Sequence, residues 1–117
     1  MTQPTVFSPA RVAQGPTLYV SGQTPGLPDG SVPDGAEAQT RVVLDKITAI
    51  LKEHGLDWAS VIMLRYYLCD LADAPAMRTA VLEVLPEPKP ASTLLVVKGL
   101  VDNRFLVEID AVAELSA

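Results

Sequence analysis

The chain is poor in the residues that build metal and disulfide chemistry, with one cysteine and one histidine among 117 residues. Cys69 cannot form a disulfide within the chain, which suits a reducing compartment, and it cannot assemble the several thiolates of a structural zinc site. A single imidazole, His54, is too little for a histidine-built metal centre, so no metal is expected. Positive charge is scarce as well. Nine Lys and Arg stand against 14 Asp and Glu, a formal net charge of −5. Tracking a phosphate backbone takes clustered basic side chains, so nucleic acid is not an expected partner. No run of residues nears the ~20 apolar positions of a membrane helix, and "MTQPTVFSP" lacks the basic-then-apolar layout of a secretory signal. The expectation is a cytoplasmic chain with no membrane partner.

What is present describes a chain that folds. Hydrophobic residues make up 49% and charged residues 20%, and the length suits one domain over 1–117 with a single core. Proline and glycine concentrate in "TPGLPDGSVPDG" (24–35), too rich in turn formers for regular structure, which makes it the main loop. Before it, "TLYVSGQ" (17–23) reads as a strand, and a weaker strand signal covers Val6 to Val12 with Pro9 confining it to a sheet edge. Asp34 and Glu37 have the spacing of a capping box at the start of a helix. Val43, Ile47, Ile50 and Leu51 give that helix an apolar stripe, and Gly55 supplies its stop. "SVIMLRYYLCD" (60–70) is a further strand. A second helix begins at Asp73, carries Met77, Ala80, Val81 and Leu85 on one face, and ends at Pro86 and Pro88. "STLLVVKG" and "RFLVEIDAVAEL", separated by "LVDN", are the last strands. The order β(β)αβαββ predicts an α+β fold, a mixed sheet covered on one face by two helices.

Strand alternation shows what the uncovered face carries. Ile62, Leu64, Tyr66 and Leu68 suit the helices, which turns Met63, Arg65, Tyr67 and Cys69 the other way. In the last strand Phe105, Val107, Ile109 and Ala111 alternate with Leu106, Glu108, Asp110 and Val112. A face that mixes Leu, Met, Tyr and Val with a few charges is too apolar for water and too polar for a plain core. An oligomer interface containing pockets satisfies both.

Taken together, "LYVSGQTP", "AEAQTRVVLDKITAILKEHG", "YYLCDLADAPAM", "KPAST" and "LVEIDAVAEL" resemble, over nearly the whole chain, the Rid family of YjgF-type reactive intermediate deaminases. The resemblance implies a chorismate-mutase-like fold and a homotrimer with an inner barrel of sheets. It also implies small-metabolite sites in the clefts between subunits, and no metal or organic cofactor. In members that act on imines the segment matching "KPAST" carries an arginine at the position of Ser92, and that arginine holds the substrate carboxylate. A guanidinium fork makes two charge-assisted hydrogen bonds where a serine hydroxyl makes one neutral bond, so its loss corresponds to about 2–4 kcal/mol, roughly 30- to 1000-fold in affinity. The resemblance also implies that Glu108 positions or deprotonates the attacking water. Ser92 or Thr93 would donate a hydrogen bond to the substrate, and Ser21, Gly22 and Gln23 would line the cleft. Phe7 stands where a tyrosine is frequent, and Arg78 where an asparagine is common. The implied function is hydrolysis of an imine, an enamine or a related C=N or C=O compound, weak or absent toward ordinary 2-imino acids. A non-catalytic binding or regulatory trimer is the alternative.

Each of these residues also has a plainer reading. Glu108 can pair with a neighbouring subunit's cation, Tyr66 and Tyr67 can simply pack, and His54 can cap a helix C-terminus. Cys69, placed here among candidate ligand contacts, reads from its neighbours as a small buried side chain, since nothing near it in sequence would lower its pKa. Arg65 in mid-strand needs an anion. Glu108 on the same face is one candidate, and a ligand carboxylate is the other.

Overall fold

A computed structural model describes residues 5–115. Four strands, β1 (Thr17–Gln23), β2 (Val61–Leu68), β3 (Ala91–Val96) and β4 (Val107–Glu114), form one sheet in the order β1-β4-β2-β3. Two helices, α1 (Ala36–Glu53) and α2 (Ala74–Val84), cover one of its faces. β4 is antiparallel to both β1 and β2, whereas β3 runs parallel to β2. The sheet is mixed for that reason. The turn 100–103 does not make a hairpin of β3 and β4; β2 lies between them.

The alternation read from the sequence sets the two faces. Leu64, Tyr66 and Leu68 of β2 and Val107, Ile109, Ala111 and Ala113 of β4 are buried against Val43, Leu44, Ile47 and Leu51 of α1 and Met77, Ala80 and Val81 of α2. Each large aliphatic side chain removed from water in this way contributes about 1.5–3 kcal/mol. Met63, Arg65, Tyr67, Glu108, Asp110 and Val112 stand on the opposite face and keep contact with solvent.

Several local expectations are corrected. Val6 to Val12 form no strand; the segment is held instead against the turn before β3, where Ser8 N donates to the Pro90 carbonyl at 2.8 Å and Arg11 donates to the Lys89 carbonyl at 3.2 Å. The capping box at Asp34 does not form: the N-cap is Gly35 at φ 87°, with no side-chain cap. A positive φ there displaces the chain from the extended geometry a capping carboxylate needs. Gly55, at φ 71°, closes α1 as expected. His54 Nδ1 donates to the Ile50 carbonyl at 3.0 Å, the helix-end role its position suggested.

Two polar side chains fasten the loops to this frame. Gln39 is buried and donates from Nε2 to the carbonyls of Pro33 and Arg104, both at 3.0 Å, while its Oε1 accepts from Leu106 N at 2.7 Å. Lys46 Nζ donates to the carbonyls of Thr24 at 2.7 Å and Gly26 at 2.6 Å. The loop 24–35 and the entry to β4 are therefore both anchored to α1. That entry delivers Glu108.

Candidate functional site

The site residues foreseen from the sequence fall into two groups on opposite faces of the sheet. The first gathers where β1 meets β4. Between Val20 and Gln23 the β1–β4 register shifts, so Ser21 and Gly22 bulge beside Asp110. Gln23 turns its amide back onto the Ser21 carbonyl at 2.9 Å. Glu108 lies against Gly22 so closely that a Cβ there would stand 2.9 Å from Glu108 Cδ and 3.2 Å from Cγ. Only a residue without a side chain leaves that space to the carboxylate.

Glu108 has no hydrogen-bond or ion-pair partner among the described residues. Partial burial, and then the negative charge of Asp110, hold its pKa above the ordinary carboxylate range. A half-buried carboxylate whose pKa is raised, with no fixed partner among the described residues, is suited to exchange a proton with a bound molecule.

Arg65 does not pair with Glu108. Its Nε donates to Asp110 Oδ1 at 2.9 Å, because the β2–β4 register puts Arg65 opposite Asp110 and Tyr67 opposite Glu108. Tyr67 donates its hydroxyl to the other oxygen, Asp110 Oδ2, at 2.7 Å, and that bond holds its pKa up. Asp110 is thus the hub of this face, a role missed by the reading that gave the acid–base work to Glu108 alone. A cavity of about 300 Å³ borders it, walled by Tyr19, Ser21, Gly22, Arg65, Asp110 and Val112. Thr93, paired in register with Arg65, is exposed on the same face.

The second group lies on the helix side. Ser92 is in register with Leu64 and lines a cavity of about 260 Å³ with Val6, Phe7, Tyr66, Met77 and Leu94. Ser92 and Glu108 do not meet within one chain: β2 separates their strands and they face opposite ways. Cys69 joins neither group; half-buried, it donates from Sγ to the Phe105 carbonyl at 3.4 Å. The same four lining residues, Val6, Tyr66, Met77 and Leu94, also border a second cavity of about 530 Å³ against α2, with Arg78 on its wall. No cluster of His, Cys, Asp and Glu able to hold a metal occurs among the described residues. No helix among them is long and apolar enough to cross a membrane.

A profile of the family described as Endoribonuclease L-PSP matches residues 2–115. The chain belongs to this family, the Rid proteins. This Rid-family chain is 36% identical over 104 residues to a RutC family protein of Pyrococcus horikoshii, an alignment that covers 87% of the chain and 82% of the relative. It is 33% identical over 99 residues to the mitochondrial protein mmf1 of Schizosaccharomyces pombe, covering 82% of the chain but only 60% of that relative's length. Among solved structures, RidA from an Antarctic Psychrobacter superposes with a TM-score of 0.80 at 28% identity, covering 98% of this chain and 99% of that one. The mixed sheet with two helices on one face is the fold of these Rid neighbours.

Proposed function

We propose that this Rid-family protein is a homotrimer whose small-metabolite sites are completed between copies, with Glu108 as the proton-handling group. The observation that carries the reading is the Glu108 carboxylate lodged over Gly22, without a partner or a covering helix among the described residues. That face leaves Tyr19 77% exposed, while Met63, Leu106 and Val112 remain partly open. Apolar surface of this kind is stabilised by a second copy. Assembly would set the Glu108 half of one chain against the Ser92 half of another, which a single chain keeps apart.

The chemistry that fits is hydrolysis of a C=N bond. Water adds to the imine carbon as Glu108 takes its proton, and the nitrogen, protonated in turn, departs as ammonia and leaves a carbonyl. Ser92 or Thr93 would donate a hydrogen bond to the substrate. No metal or organic cofactor enters this reaction. A cytoplasmic setting, which keeps Cys69 reduced, belongs to the same reading.

A second reading, a binding or regulatory trimer without turnover, is favoured by one observation: a serine, not a guanidinium, stands at position 92. Cleavage of RNA, the activity in the family's name, fits less well, because Glu108 and Asp110 place carboxylates on the face without helices and the net charge is −5. Two measurements on pure protein decide. Sedimentation is expected to give a trimer at micromolar concentration, and a stable monomer would sink the shared site. Imine generated from 2-aminoacrylate is expected to be hydrolysed by wild type and not by Glu108→Gln with the trimer intact. Absent turnover in a trimer that still binds small acids selects the second reading.

A further inference from the structure

The cavity of about 530 Å³ against α2 sets one cation among apolar walls. Met77, Val81, Leu82 and Leu94 give it apolar walls, and among the described residues Arg78 is its only charged lining residue. The chain has five arginines. Four are engaged: Arg11 with Glu114, Arg41 with Glu37 and Glu83, Arg65 with Asp110, and Arg104 with Asp102. Arg78, half-buried on the wall of the cavity, has no hydrogen bond or ion pair among the described residues. In a chain with an excess of five negative charges, a partly buried guanidinium left without a carboxylate stands out.

A second observation points to a ligand. Tyr66 lines the same cavity, and its hydroxyl is buried with no hydrogen-bond partner among the described residues. A buried tyrosine hydroxyl normally finds one, and leaving it unpaired costs stability that a bound acceptor would restore. Tyr66, Met77 and Leu94 also border the Ser92 cavity, so the two spaces adjoin.

We propose that Arg78 supplies, from α2, the carboxylate-binding cation that position 92 lacks, and that the cavity takes a small carboxylic acid with an apolar body and a second hydrogen-bond acceptor. The guanidinium holds the carboxylate, the apolar walls hold the body, and a small outward shift of Tyr66, whose hydroxyl is fully buried here, lets it donate to the second acceptor. The volume falls within the 300–1,000 Å³ usual for small-molecule pockets. This rests on the reading of the protein as a small-metabolite binder, but not on its catalysing anything.

The test is calorimetric titration of the full chain, which reads binding without turnover and so stands apart from the hydrolysis assay. The probes are 4-methyl-2-oxopentanoate, which has all three features, its methyl ester, which lacks the charge, and pyruvate, which lacks the apolar body. Wild type is expected to bind the free branched acid at least tenfold more tightly than the ester or pyruvate. Arg78→Met, with unchanged circular dichroism and assembly state, is expected to lose at least tenfold for the acid and little for the ester. Arg78→Lys retains part of the preference. Equal affinity for acid and ester, an Arg78→Met variant that binds the acid as wild type does, or no binding by wild type because a second copy fills the cavity, would each overturn the proposal.

Discussion

Gly22 and Glu108 share a space that only one side chain can occupy: the Cβ that Gly22 lacks would stand 2.9 Å from Glu108 Cδ. The backbone of Gly22 is not in the left-handed region, where, among the described residues, only Gly30, Gly35 and Gly55 are found. Close approach, rather than an unusual φ, is therefore what requires glycine here. The β1 bulge and the β4 strand are both fixed by pairing, so the yielding element is the far end of the Glu108 side chain.

That asymmetry makes Gly22→Ala informative. Because a flexible carboxylate moves at little cost, the substitution should change stability by no more than about 1 kcal/mol, the lower end of what overpacking costs. It should nonetheless displace the group proposed to handle the proton, and lower any hydrolytic rate at least tenfold with the assembly intact. Urea melts alongside rates check this. A variant with full activity would mean that the position of Glu108 does not matter.

The pKa of Glu108 gives a stability test with a definite sign. Burial and Asp110 raise its folded pKa, so the folded chain binds this proton more tightly than the unfolded chain does. The favourable contribution is then fully present below the unfolded carboxyl value, about 4.3, and is lost as pH rises through the higher folded value. Glu108→Gln removes the penalty on the charged form. It should match wild type near pH 4 and be the more stable of the two at pH 7.5, as urea midpoints at both values would show. A glutamine variant less stable at pH 7.5 would mean that the carboxylate is an ion-pair partner, and the proton-handling role would fall.

Asp110 and Arg65 should differ in the same experiment. Asp110 accepts from both Arg65 and Tyr67, and its side chain is only 13% exposed against 53% for Arg65. Removing Arg65 leaves Asp110 with the tyrosine bond, whereas removing Asp110 strands two donors. Asp110→Ala should lower the urea midpoint more than Arg65→Met does, and Arg65→Met should not weaken binding of a small acid. If Arg65→Met abolishes that binding, Arg65 rather than Arg78 is the ligand's cation.

Much of this was legible in the strands. The period-two alternation of Met63, Arg65 and Tyr67 and of Glu108 and Asp110 placed all five on the uncovered face, because a buried face leaves no freedom of register. Which carboxylate Arg65 would choose was not legible: Glu108 and Asp110 share the face, and only the offset between β2 and β4 decides for Asp110. The failed cap at Asp34 has a similar origin, since a glycine before the helix admits a backbone that propensity at Asp34 does not anticipate. The N-terminal segment misled for another reason. Its bonds go to carbonyls some 80 positions away, such as Ser8 to Lys89, and no local pattern announces them. The separation of Ser92 from Glu108 depends on strand order, which was not assigned from sequence.

Ser92→Arg joins the strand reading to the cavity. In the wild type, Ser92 faces Phe7, Tyr66, Met77 and Leu94, so a longer side chain there would enter the space that adjoins Arg78. If position 92 is where the family's carboxylate fork belongs, the variant should gain affinity for pyruvate by about 2–4 kcal/mol, the worth of two charge-assisted bonds over one neutral one. Pyruvate is the discriminating probe, because it has little apolar body to draw it toward the α2 wall. Calorimetry on wild type, Ser92→Arg and Ser92→Arg with Arg78→Met should show the gain in both variants if the new guanidinium acts alone. A gain that disappears when Arg78 is removed would mean that the two cations hold one carboxylate together. No gain in either, with the assembly unchanged, would mean that the cavity beside Ser92 is not where this protein holds an acid, and the inference drawn from its serine would be wrong.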